Sequence, residues 1–110
     1  ATIGYSNLKN GLLFERLFHT SYFNISIIDD VPGVEMCGAL KNVVALGAGF
    51  SDGLGYRGNT KSAIIRIGLM EMRRFTLLFF PNAKMDTFFE SCGISDLFVT
   101  CTEGRNRKCA

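Results

Sequence analysis

The chain has one histidine, His19, and its four cysteines, Cys37, Cys92, Cys101 and Cys109, stand far apart. No C-x-x-C pair occurs, so the ligand spacing of a zinc site is missing. The thiols read instead as reduced, mostly buried side chains of a cytosolic protein. No apolar run reaches the ~20 residues that span a bilayer. The longest, Met36 to Phe50, is interrupted by Lys41 and Asn42. A large charge of either sign is also lacking. The net is +2, too small to imply nucleic acid or a membrane surface. There is no initiator Met and no charged-then-apolar leader. The basic run Arg105 to Lys108 looks like a helix start with no Gly or Pro stop after it. These ends predict an internal piece of a longer protein; the competing reading is a processed mature chain.

What remains is enough for a packed core, since 47% of the 110 residues are apolar. Thr2-Ile3-Gly4 reads as the end of a short strand. Leu8, Leu12, Leu13 and Leu17 recur at helical spacing within Asn7 to Phe18. Phe23 to Ile28 alternates and is β-branched, as a strand is, and Asp29-Asp30 with the Val31-Pro32-Gly33 turn ends it. Strand, helix, strand predicts the edge of an α/β sheet over residues 1–30. From 31 to 110 the pattern is helical. One helix is expected over Glu35 to Phe50. A second, capped by Asn59 or Thr60, carries Ile64, Ile67, Met72, Phe75 and Leu78 on its apolar surface and stops at Pro81-Asn82. A third runs from Met85 to Cys92, bends at Gly93 and resumes from Ile94 to Cys101.

Lys41 is the most informative residue. At 100° per residue it shares a stripe with Cys37, Val44 and Ala48, with Val34 close by. The opposite side also carries Val43 and Leu46, and a helix apolar all round is a buried one. A buried ammonium is costly unless paired, and burial pushes its pKa down, as a general acid or base near neutral pH requires. The plain alternative is a stem that snorkels to the surface. Asn42 adds two donors and an acceptor to the same helix, or is an amide bonded to backbone. Asp96 and Thr100 are four apart, on one helix face. On spacing alone they mark an exposed helix start. Gly104-Arg105-Asn106 offers free backbone N–H groups and an arginine fork, a phosphate cradle; the alternative is a solvated basic face. Gly53-Leu54-Gly55-Tyr56-Arg57-Gly58 fits G-x-G-x-x-G. Gly47 to Asp52 separate it from the apolar residues upstream, too far for a strand-to-helix nucleotide turn, so an inter-helix loop is expected.

These residues carry a resemblance. Cys37-Gly38-Ala39-Leu40-Lys41-Asn42-Val43-Val44-Ala45, Gly47-Ala48-Gly49-Phe50, Asn59-Thr60-Lys61 and Gly68-Leu69-Met70-Glu71-Met72 resemble the NAD-dependent glycerol-3-phosphate dehydrogenases. So do Glu90-Ser91-Cys92-Gly93, Asp96-Leu97, Thr100-Cys101 and Gly104-Arg105-Asn106-Arg107-Lys108. The likeness runs in order through nearly the whole chain and is nearest the animal cytosolic form. It implies the end of a Rossmann domain over 1–30, then the start of an all-α, 6-phosphogluconate dehydrogenase C-terminal-like domain over 31–110, both truncated. The implied reaction exchanges hydride between NAD and the pair glycerol 3-phosphate and dihydroxyacetone phosphate, in a cytoplasmic homodimer with no metal. By resemblance Lys41 is catalytic, Asp96 orients it, and Asn42 and Thr100 position substrate oxygens. Arg105 and Asn106 hold the phosphate, with Arg105 also near the cofactor. The resemblance places the nucleotide fingerprint and a further lysine upstream of Ala1.

Five positions depart from the pattern. Arg57-Gly58 replaces the usual residues before Asn59, Glu103 stands where a second glycine is usual, and Val99 and Thr102 are atypical. A carboxylate at 103 is expected to weaken anion binding and to strain the turn. The other readings are an inactive remnant, hinted at by Glu103 and Gly58, and a free-standing nucleotide module built on Gly53 to Gly58.

Overall fold

The computed structural model describes all 110 residues, and most of them are helical. β1 (Thr2–Gly4) and β2 (Ser26–Ile28) pair in parallel, with Ile3 opposite Ile27. α1 (Leu8–Phe18) crosses between them. Asn7 starts it, its side chain accepting from the Lys9 backbone N–H at 2.9 Å. The predicted strand from Phe23 is shorter, because only Ser26 to Ile28 pair with β1, while Phe23 forms an isolated antiparallel bridge with Thr20. The stripe of α1 keeps its helical spacing, but Leu8, Leu12, Leu13 and Leu17 are all exposed.

α2 (Val31–Gly53) is the axis of the molecule, with α3 (Gly58–Phe79), α5 (Asp96–Glu103) and α6 (Arg105–Cys109) packed on it. It begins earlier than the pattern suggested. Val31-Pro32-Gly33 is its first turn rather than a loop, since proline near a helix start lacks only an N–H that has no partner there. Asp30 is the N-cap, its Oδ1 accepting from the Gly33 N–H at 3.0 Å. Its other oxygen accepts from the Lys84 N–H at 2.9 Å and the Thr87 hydroxyl at 2.5 Å, which ties α2 to α4 (Met85–Phe89). Arg57 precedes α3, so neither Asn59 nor Thr60 caps it.

The third predicted helix is cut short. α4 ends at Phe89, and Ser91–Ser95 forms a wide π turn that leads into α5. The core is Cys37, Ala45 and Ala48 of α2 against Met72, Phe88, Leu97 and Cys101. α2 is therefore buried on one side only. Val43 and Phe50 on its other side are exposed, which corrects the expectation of burial all round. On α3, likewise, Met72 is buried while Ile67, Phe75 and Leu78 are exposed. No helix is long and apolar enough to cross a membrane.

Candidate functional site

The stripe that holds Cys37 and Ala48 in the core carries Lys41 to the junction of α2 and α5. There its Nζ meets the Oδ2 of Asp96 in a direct ion pair. Lys41 is 22% exposed and Asp96 39%, so the lysine neither is sealed in the core nor reaches freely into solvent. An ion pair this open contributes roughly 0–1 kcal/mol to folding, too little for stability to be its purpose. A cleft of about 430 Å³, bordered by Thr2, Cys92, Ser95 and Val99, opens on the Asp96 side of the pair, and Lys41 does not line it.

Asn42, the next residue of α2, accepts from the Asn106 side-chain amide at 2.8 Å. Its own NH₂ has only long contacts to the Gly38 and Ala39 carbonyls, at 3.4 and 3.5 Å, and so keeps donor capacity. Thr100 gives its hydroxyl hydrogen to the Asp96 carbonyl at 2.7 Å, one turn back, which leaves its oxygen free to accept. Arg105 is exposed and has no side-chain partner. The structure thus joins Lys41 to Asp96 and Asn42 to Asn106 across two adjacent residues of α2. It sets Thr100 one turn from Asp96, and leaves the Arg105 guanidinium open. Glu103, the last residue of α5, has ordinary helical backbone with no positive φ, so the strain expected there does not arise.

All four cysteines are free. Cys37 and Cys101 are buried, Cys92 is half-buried, and Cys109 is exposed, against the expectation of mostly buried thiols only at that last position. The Cys92 thiol donates to the Thr87 carbonyl at 3.6 Å, and its interaction with the neighbouring Cys37 thiol shifts both groups. The nearby Cys37 thiol holds Cys92 down at about 7, and Cys92 together with burial pushes Cys37 up. Sequence reasoning missed Asp30 and Asp52. Asp52, in the last turn of α2, accepts from Arg107 and Lys61 and is held below the usual carboxylate range by the bond from Lys61 first and Arg107 second. The signal for Asp30 was its place one residue before Val31-Pro32, where an N-cap precedes a proline-bearing first turn. For Asp52, 55 residues from Arg107 in sequence, there was none.

Residues 30–110 match the family model of the NAD-dependent glycerol-3-phosphate dehydrogenase C-terminus. The chain belongs to this family. It is 56% identical to the probable glycerol-3-phosphate dehydrogenase 2 of Caenorhabditis elegans, over 98% of this chain and 28% of that protein. To the cytoplasmic glycerol-3-phosphate dehydrogenase [NAD(+)] of Drosophila melanogaster it is 54% identical, over 97% and 30%. Among solved structures, the Plasmodium falciparum glycerol-3-phosphate dehydrogenase superposes with a TM-score of 0.92 at 42% identity, over 98% of this chain and 30% of that one. The chain therefore spans under a third of the length of these dehydrogenases.

NAD is the cofactor of the family, yet these residues supply no cradle for its pyrophosphate. Gly53 ends α2, Gly58 opens α3, and helix rather than strand precedes the glycine run, as the spacing predicted. No group of three His, Cys, Asp or Glu side chains is placed to hold a metal ion.

Proposed function

We propose that this chain is the substrate side of an NAD-dependent glycerol-3-phosphate dehydrogenase, which interconverts sn-glycerol 3-phosphate and dihydroxyacetone phosphate. The observation that carries the reading is the Lys41–Asp96 pair lying next to the Asn42–Asn106 bond on α2. In this reading residues 1–30 end the Rossmann domain and 31–110 begin the helical one. The parallel pairing of β1 with β2 supports the first part, since parallel strands joined by a helix are the repeating unit of such sheets. The cytoplasmic name of the Drosophila relative supports a cytoplasmic enzyme. A homodimer is carried over from the family resemblance.

The hydride chemistry belongs to NAD. This chain's residues manage charge, proton and orientation. Oxygen of the ketone turns negative as the carbon is reduced. The Lys41 ammonium neutralises it and delivers the proton, and in the reverse direction the neutral amine takes the proton from the hydroxyl. Asp96 aims the lysine. The free NH₂ of Asn42 donates to a substrate oxygen, and Thr100 Oγ1 accepts from a substrate hydroxyl. Arg105 holds the phosphate by its guanidinium fork, with Asn106 beside it, and Arg105 also borders the cofactor. Binding the phosphate away from the reacting carbon fixes the ketone in place.

The test is Lys41→Ala in a full-length dehydrogenase carrying this segment. Turnover should fall by about 10²–10⁴, with NADH affinity unchanged. Wild-type turnover in that variant would overturn the assignment.

A further inference from the structure

We infer that Asp52 is a positioning residue for the phosphate end of the site, acting on Arg105 and Asn106 through its bond to Arg107. The inference rests on the reading of Arg105 and Asn106 just given. Its observations come from the other end of α2, more than two helical turns from Lys41.

One carboxylate oxygen of Asp52 accepts from Arg107 Nε at 2.6 Å and from Lys61 Nζ at 2.7 Å. It thus joins the end of α2, the start of α3 and the middle of α6. One turn earlier Gly49 is buried, and a Cβ there would collide with the Arg107 carbonyl and sit 2.7 Å from the Ala110 Cβ. The backbone of α6 therefore lies directly on α2. At its other end Asn106 donates to Asn42 at 2.8 Å.

α6 is five residues long, far below the ~12–15 that make a helix marginally stable alone. Its place is set by what it rests on. Arg107 and Arg105 are two residues apart, about 200° around the helix. With Arg107 fixed against α2 by Asp52, Arg105 has to face the opposite way. It is exposed and without a partner, as that geometry requires. Asp52 itself touches neither Arg105 nor Asn106.

The experiment uses a full-length dehydrogenase carrying this segment, with Asp52→Asn, Asp52→Glu and Arg105→Ala compared. Asp52→Asn should raise KM for dihydroxyacetone phosphate about tenfold while kcat stays within about twofold, the pattern of lost binding rather than lost chemistry. With dihydroxyacetone, which lacks the phosphate, it should match wild type, and Asp52→Glu should recover most of the lost affinity. If Asp52→Asn fails to fold, Arg107→Gln reads the same contact. An unchanged KM for the phosphorylated substrate overturns the inference when Arg105→Ala raises that KM. Equal losses on both substrates, with no rescue by glutamate, also overturn it. If Arg105→Ala leaves the KM unchanged as well, the underlying site reading fails instead.

Discussion

Asp30 and Asp96 are both carboxylates at the start of a helix, and their surroundings are opposite. Asp30 is 5% exposed and accepts three hydrogen bonds, from Gly33, Lys84 and Thr87. Every one of those donors is fixed by backbone or core packing. Asp96 is only half-buried, its side chain 39% exposed, and it pairs with a single cation, Lys41. A carboxylate saturated by rigid donors locks a fold. One with a single side-chain partner beside a cleft keeps unused acceptor capacity. The difference in wiring, more than the residue type, separates scaffold from site.

The comparison breaks most sharply on turnover. Asp96→Asn in the full-length enzyme should lower kcat by about 10²–10³, because Lys41 loses its orienting charge, while the urea midpoint barely moves. A large shift of that midpoint would make Asp96 a scaffold residue like Asp30. Asp30→Ala should do the reverse. It strands the Thr87 hydroxyl in a buried place, takes the partner from the half-buried Lys84 N–H and removes a cap, a loss of about 2–4 kcal/mol read by urea unfolding. A variant of wild-type stability would mean that the three bonds carry little. The smallest effect belongs to Asp52, which lies between the two types with two cationic partners. Its carboxyl is lowered in the folded chain by Lys61 and Arg107. Its contribution is therefore full above the ordinary aspartate value of about 3.9 and is lost as pH falls through the lowered one. The difference in urea midpoint between wild type and Asp52→Asn should be present at pH 7 and vanish in strong acid. A difference that persists there would show the contact is not ionic.

Much of this was legible from residue order alone. The stripe through Cys37, Lys41 and Ala48 has the period that carries the lysine to α5, and Asp96 with Thr100 has the spacing of one face. The family motifs named both sets. What escaped was contact between distant segments and the local meaning of ambiguous pairs. Val31-Pro32-Gly33 has the composition of a turn as well as that of a proline-bearing first turn, and the bond from the Gly33 N–H to Asp30 decides for the helix start. The full burial expected of α2 failed because periodicity reports which positions are apolar, not what covers them. Val43 and Phe50 stay more than half exposed.

Gly93 sits in the π turn just before Asp96, and a Cβ on it would collide with the Phe88 carbonyl and lie 2.7 Å from the Phe88 Cα. Backbone, unlike a side-chain tip, has nowhere to retreat. On the proposed role of Lys41, a saturation library scored by growth would therefore mark position 93 as intolerant as position 41, for a reason of packing alone. The two would part only when the surviving protein is weighed: variants at 93 vanish from the soluble fraction, and variants at 41 accumulate there, intact and idle.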